Sequence, residues 1–278
     1  MPNIQTPLGS VKLFPFPGRI VQIGDSDTVT VKKIQHRLNA VGCGPIAEDG
    51  FFDDDNENAV KLFQIRFPDV TGRPLVVDGQ IGSLTWGALF GKETVPSNSI
   101  APSALTKAVI DFAITQIGVL EDPLGKNRGP QVDEYQLAVG LKLDLTHPKK
   151  EGFAWCVAFT YFCYKKAAAE LGVSNPHIKT AGVLDHWSTA KTKSGVLRVT
   201  NSQATADPSL VKPGALFIID HGGGLGHSGI VVEVAHGRLV TIEGNTNDGG
   251  SRNGIGVFER SARKIVDINK GFVDYSSF

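Results

Sequence analysis

The hydrophobic pattern of this chain changes period once in its C-terminal part, and that change restricts the part to a mixed architecture. Residues 105–119, 132–139 and 156–171 carry apolar side chains at helical spacing, as in Val109, Phe112, Ala113 and Ile117, or Val157, Phe159, Phe162, Ala167 and Leu171. From Ala215 onward the pattern becomes alternating or continuously apolar: Ala215 to Ile219, Ser228 to Val234, Arg238 to Glu243, and Gly256 to Phe258. Short runs of that kind between glycine-rich turns predict strands of an antiparallel sheet. Helices followed by strands imply an α+β domain.

The N-terminal third is built differently. Residues 92–103, KETVPSNSIAPS, lack apolar periodicity and are rich in Pro, Ser and Asn, so they are expected to be a linker. Before them the chain echoes itself. Asp49-Gly50-Phe51-Phe52 precedes the helical run Ala59, Val60, Leu62, Phe63, and 29 residues further on Asp78-Gly79-Gln80-Ile81 precedes Leu84, Trp86, Leu89, Phe90. With Val31, Ile34, Leu38 and Val41 ahead of both, three short helices joined by Asp-Gly turns are expected, the glycines supplying positive φ. The acidic run Asp53 to Glu57 lacks the alternating ligands and central glycine of a calcium loop, so it reads as a helix cap and first turn.

Composition removes several classes of function. Lys plus Arg and Asp plus Glu each number 28, without a basic block, which argues against nucleic acid and anionic membrane as partners. No apolar run approaches the roughly 18 residues needed for a membrane span. The N-terminus lacks a basic region followed by an apolar one, so the protein is expected to be made in the cytoplasm without a signal peptide. The odd count of three cysteines argues against a disulfide framework; Cys156 and Cys163 stand roughly 10 Å apart along a helix, too far to bridge. Cys43 and Cys163 are expected to pack as small hydrophobes.

Cys156 is different, because it opens its helix. There, free backbone N–H groups and the positive end of the helix dipole favour the nucleophilic thiolate. A thiol nucleophile needs a base and a group to orient that base. His227 follows the turn Gly222 to Gly226 at the start of a strand, and Glu243 and Asn245 close the neighbouring strand, within reach of the imidazole. A serine elbow at Ser228 fails because Ile230 stands where glycine is required. A zinc site from His221, His227, His236 and Glu243 lacks the H-E-x-x-H pattern, so no metal or other cofactor is expected.

Two resemblances add to this reading. The segment from about Ile23 to Gly91 resembles the peptidoglycan-binding domain family: Val31, Gln35, Leu38 and Gly42, the paired Asp-Gly turns, and Thr85-Trp86 with Leu89. It departs where the family has Phe-Gly after the first Asp-Gly turn and this chain has Phe52-Asp53-Asp54-Asp55. Residues 104–278 resemble the CHAP branch of the NlpC/P60-type, papain-like amidases and peptidases, through Ala154-Trp155-Cys156-Val157-Ala158-Phe159, Leu225-Gly226-His227-Ser228-Gly229-Ile230-Val231 and Thr241-Ile242-Glu243-Gly244-Asn245-Thr246. The resemblance implies Cys156 as nucleophile, His227 as base and then acid, Glu243 as orienting residue and Asn245 as a fourth polar member; between Glu243 and Asn245 as holder of the imidazole, Glu243 is the first choice. Trp155 reads as core or as a stacking platform, and it joins Asn127, Arg128 and Arg252 as the candidate substrate-binding set.

The expected organisation is therefore an extension (1–22), a three-helix wall-binding module (23–91), a linker (92–103) and a papain-like α+β cysteine amidase or endopeptidase domain (104–278). The expected substrate is bacterial peptidoglycan. The protein is expected to be a monomer that reaches the wall as an endolysin after lysis, or as a secreted antibacterial effector served by secretion machinery and an immunity protein. The rival expectations are a non-catalytic wall-binding or phage structural protein and an amidase for a small peptide or polyamine conjugate.

Overall fold

The computed structural model describes residues 3–6, 9–12, 14–147, 150–247 and 254–278. It forms two compact units, Met1–Ser97 with Thr205–Pro208, and Asn98–Ala204 with Ser209–Phe278. In the first, strands β1 (Asn3–Thr6) and β2 (Gly9–Lys12) pair antiparallel, and helices α1 (Thr28–Ala40), α2 (Asp54–Arg66) and α3 (Ser83–Phe90) follow. Asp27 and Asp53 cap α1 and α2 by accepting from the backbone N–H three residues on, at 3.0 Å each. The acidic run after Asp53 is thus the first turn of α2.

The internal echo has a structural cause. Gln35 of α1 donates to Asp49 Oδ1 (2.9 Å) and to the Phe51 carbonyl (3.0 Å), while its own oxygen accepts from Gly50 N (2.8 Å). Gln64 of α2 does the same one repeat later, donating to Asp78 (2.8 Å) and the Gln80 carbonyl (2.9 Å) and accepting from Gly79 N (2.9 Å). Each buried amide supplies the backbone partners that its Asp-Gly turn lacks. Between the helices lie Val31, Ile34, Leu38, Val60, Phe63, Trp86, Leu89 and Phe90, all at most 1% exposed.

The second unit contains α4 (Ala104–Thr115), α5 (Pro130–Ala138), α6 (Cys156–Glu170), α7 (Val183–Ala190) and α8 (Asn201–Ala206). Its sheet comprises β3 (Leu197–Thr200), β4 (Leu216–Gly222), β5 (Leu225–Ala235), β6 (Arg238–Thr246), β7 (Gly256–Lys264) and β8 (Gly271–Asp274), antiparallel throughout in the order β3-β8-β4-β5-β6-β7. The α+β class expected from the change of period is what the chain adopts. Helix α6 is buried almost along its length, packing Val157, Phe159 and Cys163 with Ile218, Ile230 and Ile242 of the sheet. All three cysteines are free thiols and buried.

Several elements differ from expectation. Helix α4 stops at Thr115, four residues short of 119, because Gly118 takes φ +91° and the chain peels away to pair Gly118 and Val119 with Val257. Strand β7 runs six residues beyond Phe258, through a polar stretch with no apolar alternation. In the segment expected as a linker, Lys92–Thr94 form a 3-10 turn, Val95 joins the first core, and Asn98 exchanges two 2.8 Å backbone hydrogen bonds with Val234. No helix among the described residues is long and apolar enough to cross a membrane.

A stack of aromatic rings closes the second unit beside α6. His177 and His186 lie parallel with centroids 4.6 Å apart, and Tyr275 stacks on His177 at 5.5 Å. The Tyr275 hydroxyl accepts from Ile178 N (3.2 Å) and is hydrogen-bonded to His186 Nε2 at 2.6 Å. Burial lowers both imidazoles, His186 to about 4. The unfolded chain binds these protons near pH 6.5 and the folded chain resists them, so stability falls as the pH drops from about 6.5 to about 4. The His186 share of that loss is about 3 kcal/mol. Urea unfolding of His186→Phe between pH 7 and 4 is expected to be less acid-sensitive than wild type, although the variant starts weaker at neutral pH. Parallel curves would refute the assignment.

Candidate active site

The thiol owes its position to how α6 begins. Trp155 is the N-cap residue, with φ −128° and ψ 16°, and its carbonyl accepts the Phe159 N–H at 2.8 Å. No side chain caps this end, so the first-turn N–H groups around Cys156 keep their partial positive charge. Two contacts pin the cap. The indole Nε1 donates to Glu121 Oε1 at 2.9 Å, and Trp155 N donates to Asn245 Oδ1 at 3.4 Å. Gly244 allows β6 to approach this closely, since a Cβ there would lie 2.7 Å from both Phe159 and Trp155.

His227 arrives from the other side. Gly222, Gly223 and Gly224 all have positive φ in the β4-β5 hairpin, and His227 enters β5 opposite Ile219. Its Nε2 lies 2.8 Å from Glu243 Oε2, and the Cys156 side chain is the other polar group that favours the protonated ring. With Nε2 occupied by the carboxylate, Nδ1 is the nitrogen left for sulfur. Burial opposes a charge on this ring. Hydrogen bonds and attraction from Cys156 and Glu243 outweigh it, and His227 rises to about 9.

Glu243 has no exposed side-chain surface, yet it is held ionised. Burial alone would raise its carboxyl, but contacts with Arg263 and His227 bring it down to about 2. Thr241 Oγ1 donates to its Oε1 at 2.6 Å. Glycine is required across the strand: a Cβ on Gly229 would stand 2.8 Å from Glu243 Cγ and from the Phe217 ring.

Of the two candidates for holding the imidazole, Glu243 makes the contact. Asn245, at φ +55°, turns its amide elsewhere, with Oδ1 toward Trp155 N and Nδ2 donating to Asn127 Oδ1 at 2.9 Å. Asn127 is half-buried and joins the site through that bond, while Glu121 Oε2 accepts its backbone N–H at 3.0 Å.

Two members of the substrate-binding set do not fit that role. Trp155 is fully buried, with its ring 5.6 Å from Tyr135, so it serves as core and cannot stack on a substrate. Arg128 is 2% exposed and paired with Asp133 through two 2.9 Å bonds, and its remaining donor faces the carbonyls of Asp144, His147 and Lys150. It ties down the loop before α6. Arg252 lies outside the described residues. His221 lies at the end of β4 and His236 in the turn after β5, at opposite ends of β5 and too far apart to share an ion with His227, and no cluster of three or more potential metal ligands occurs among the described residues.

Sequence reading missed Glu121, Thr241 and Arg263. Glu121 precedes a loop without periodicity. Arg263 lies in the polar half of β7, where only strand register brings it near Glu243.

Two known families match segments of the chain. Residues 28–89 match the family described as "Putative peptidoglycan binding domain", and residues 148–245 match the CHAP domain. The first segment contains both glutamine-locked turns, and the second ends at Asn245. No curated protein and no solved structure matches the chain.

The close approach at Gly229 is open to test. Gly229→Ala is expected to destabilise the protein by about 1–3 kcal/mol in urea unfolding, as an overpacked site does. Unchanged stability would show that Glu243 and Phe217 yield to the methyl group at no cost.

Proposed function

From a chain carrying a peptidoglycan-binding domain followed by a CHAP domain, we propose a peptidoglycan hydrolase that cuts an amide bond in the peptide part of the bacterial wall through Cys156, His227 and Glu243. One observation supports this most: a single imidazole held through Nε2 by a buried carboxylate, with a thiol at a helix start as its other polar neighbour.

The chemistry follows from those positions. The Cys156 thiolate attacks the amide carbonyl carbon, and the developing oxyanion is stabilised by the Cys156 N–H at the positive end of α6. Collapse of the tetrahedral intermediate breaks the C–N bond. The amine leaves with the proton carried by His227, which gives a thioester. Water then loses a proton to His227, attacks the thioester, and releases the acid and the thiolate. Glu243 keeps the imidazole oriented through both steps. The bond broken is either the lactyl amide to L-Ala or a peptide bond of the stem or cross-bridge. The N-terminal module contributes proximity, raising the effective concentration of a polymeric substrate without altering the chemical step. We take the enzyme to act in the wall, as an endolysin or a secreted antibacterial effector.

Incubation of purified peptidoglycan with wild type and Cys156→Ala, followed by mass spectrometry, tests the reading. Fragments are expected from wild type at a rate reduced roughly a thousandfold or more in the variant, and their new termini identify the bond. Equal release by both proteins would overturn the nucleophile, and no release by either would overturn hydrolysis. Removing residues 1–95 is expected to lower activity on intact walls more than on soluble fragments. An equal loss on both substrates would contradict the tethering role.

A further inference from the structure

We propose that Arg263 is a positioning residue for the thiol site, its guanidinium fixing the Glu243 carboxylate in the orientation that presents Oε2 to His227 Nε2. This inference rests on the hydrolase reading above and extends it to a residue beyond the matched CHAP segment, which ends at Asn245.

Local geometry brings Arg263 there. In an unbroken strand residues 260 and 263 would point to opposite faces. Thr241 pairs with Arg260 but Leu239 pairs with Arg263, so β7 carries one extra residue at this point and both arginines share the face of Glu243. Arg263 Nε donates to Glu243 Oε1 at 2.5 Å and Nη2 to Oε2 at 2.6 Å, a two-pronged pairing that sets the carboxylate plane. Arg260 stands further off, its Nε 3.9 Å from Oε1, and donates to the Asn247 carbonyl at 2.6 Å.

Arg263 is held from a second side. Its guanidinium lies over the Phe217 ring at 4.7 Å, and Phe217 packs 5.7 Å from the His227 ring. The arginine therefore constrains the carboxylate directly and the imidazole through Phe217. The titratable and charged groups around His227 and its carboxylate are Cys156 from α6, Glu243 from β6, and Arg263 and Arg260 from β7.

Two consequences follow. The positive charge of Arg263 balances that of Glu243, so His227 is not the only cation facing a buried anion and can release its proton to the leaving amine. The fork holds Oε2 on Nε2, which leaves Nδ1 for the sulfur. A lysine would keep the charge and lose the fork.

The test uses the full chain with Arg263→Gln and Arg263→Lys. Three quantities are read: the His227 titration by NMR of labelled histidine, kcat and KM on solubilised peptidoglycan, and the melting temperature. For Arg263→Gln the His227 titration is expected to move upward by about one pH unit, as when a nearby like charge is removed. For both variants kcat is expected to fall by roughly 10- to 100-fold with KM unchanged, as displaced catalytic geometry produces. Arg263→Lys keeps the wild-type titration. A purely structural arginine would lower the melting temperature and leave the His227 titration and kcat of the folded variants unchanged, which would overturn the proposal. If Arg263→Gln does not fold, Arg263→Lys decides: wild-type kcat in that variant also overturns it. Absence of hydrolysis by wild type would refute the hydrolase reading, and the His227 titration in Arg263→Gln would still decide the part played by Arg263.

Discussion

Glu243 is an ionised carboxylate with no exposed surface, a state that costs several kcal/mol unless its oxygens are matched. They are matched by His227, Thr241 and both prongs of Arg263. Much of the second unit can be read from that requirement. Gly229 is needed so that the carboxylate fits beneath β5, the irregular register of β7 supplies the arginine, and the β4-β5 hairpin delivers the imidazole. Losing the arginine or the imidazole would leave part of that buried charge unmatched. The imidazole inherits its orientation from this arrangement.

A second network sets the other half of the site. Glu121 holds the Trp155 indole and the Asn127 backbone, and Asn127 in turn holds Asn245, whose oxygen meets the Trp155 N–H. The outcome is a helix start with no side-chain cap whose location against the sheet is nevertheless determined. Thiolate-favouring N–H groups and a fixed position are thus provided by different residues. A Ser or Asp cap would have combined the two but would have competed for the same donors.

The N-terminal module uses one device twice. A buried glutamine on each of two helices closes an Asp-Gly turn 14 residues downstream, and the offset between the two sets is 29 residues. The repeat is visible as paired Asp-Gly turns, and Gln35 belongs to the family-like opening pattern, whereas Gln64 looks like an ordinary polar helix residue. Trp155 and Arg128 look like ligands for a substrate because an indole and a guanidinium are suited to that work. Burial against Tyr135 and pairing with Asp133 decide otherwise, and neither partner is signalled by local sequence. Strand β7 was read as three residues because its second half, from Glu259 to Lys264, has no apolar alternation.

Periodicity, glycine placement and helix-start position are local properties, so the chain by itself determined its α+β class, its three N-terminal helices, the exposure of Cys156 to a helix dipole, the strand start that carries His227 and the strand end that carries Glu243. The tertiary structure alone decided which polar groups meet. That Glu243 holds His227 while Asn245 serves the Trp155 cap depends on strand register and on a left-handed residue at 245. That Arg263 reaches Glu243 depends on one extra residue in β7. Hydrogen bonds act over about 3 Å, and a shift of one residue in register reverses the face a side chain occupies, so partners this specific appear only when the strands are in place.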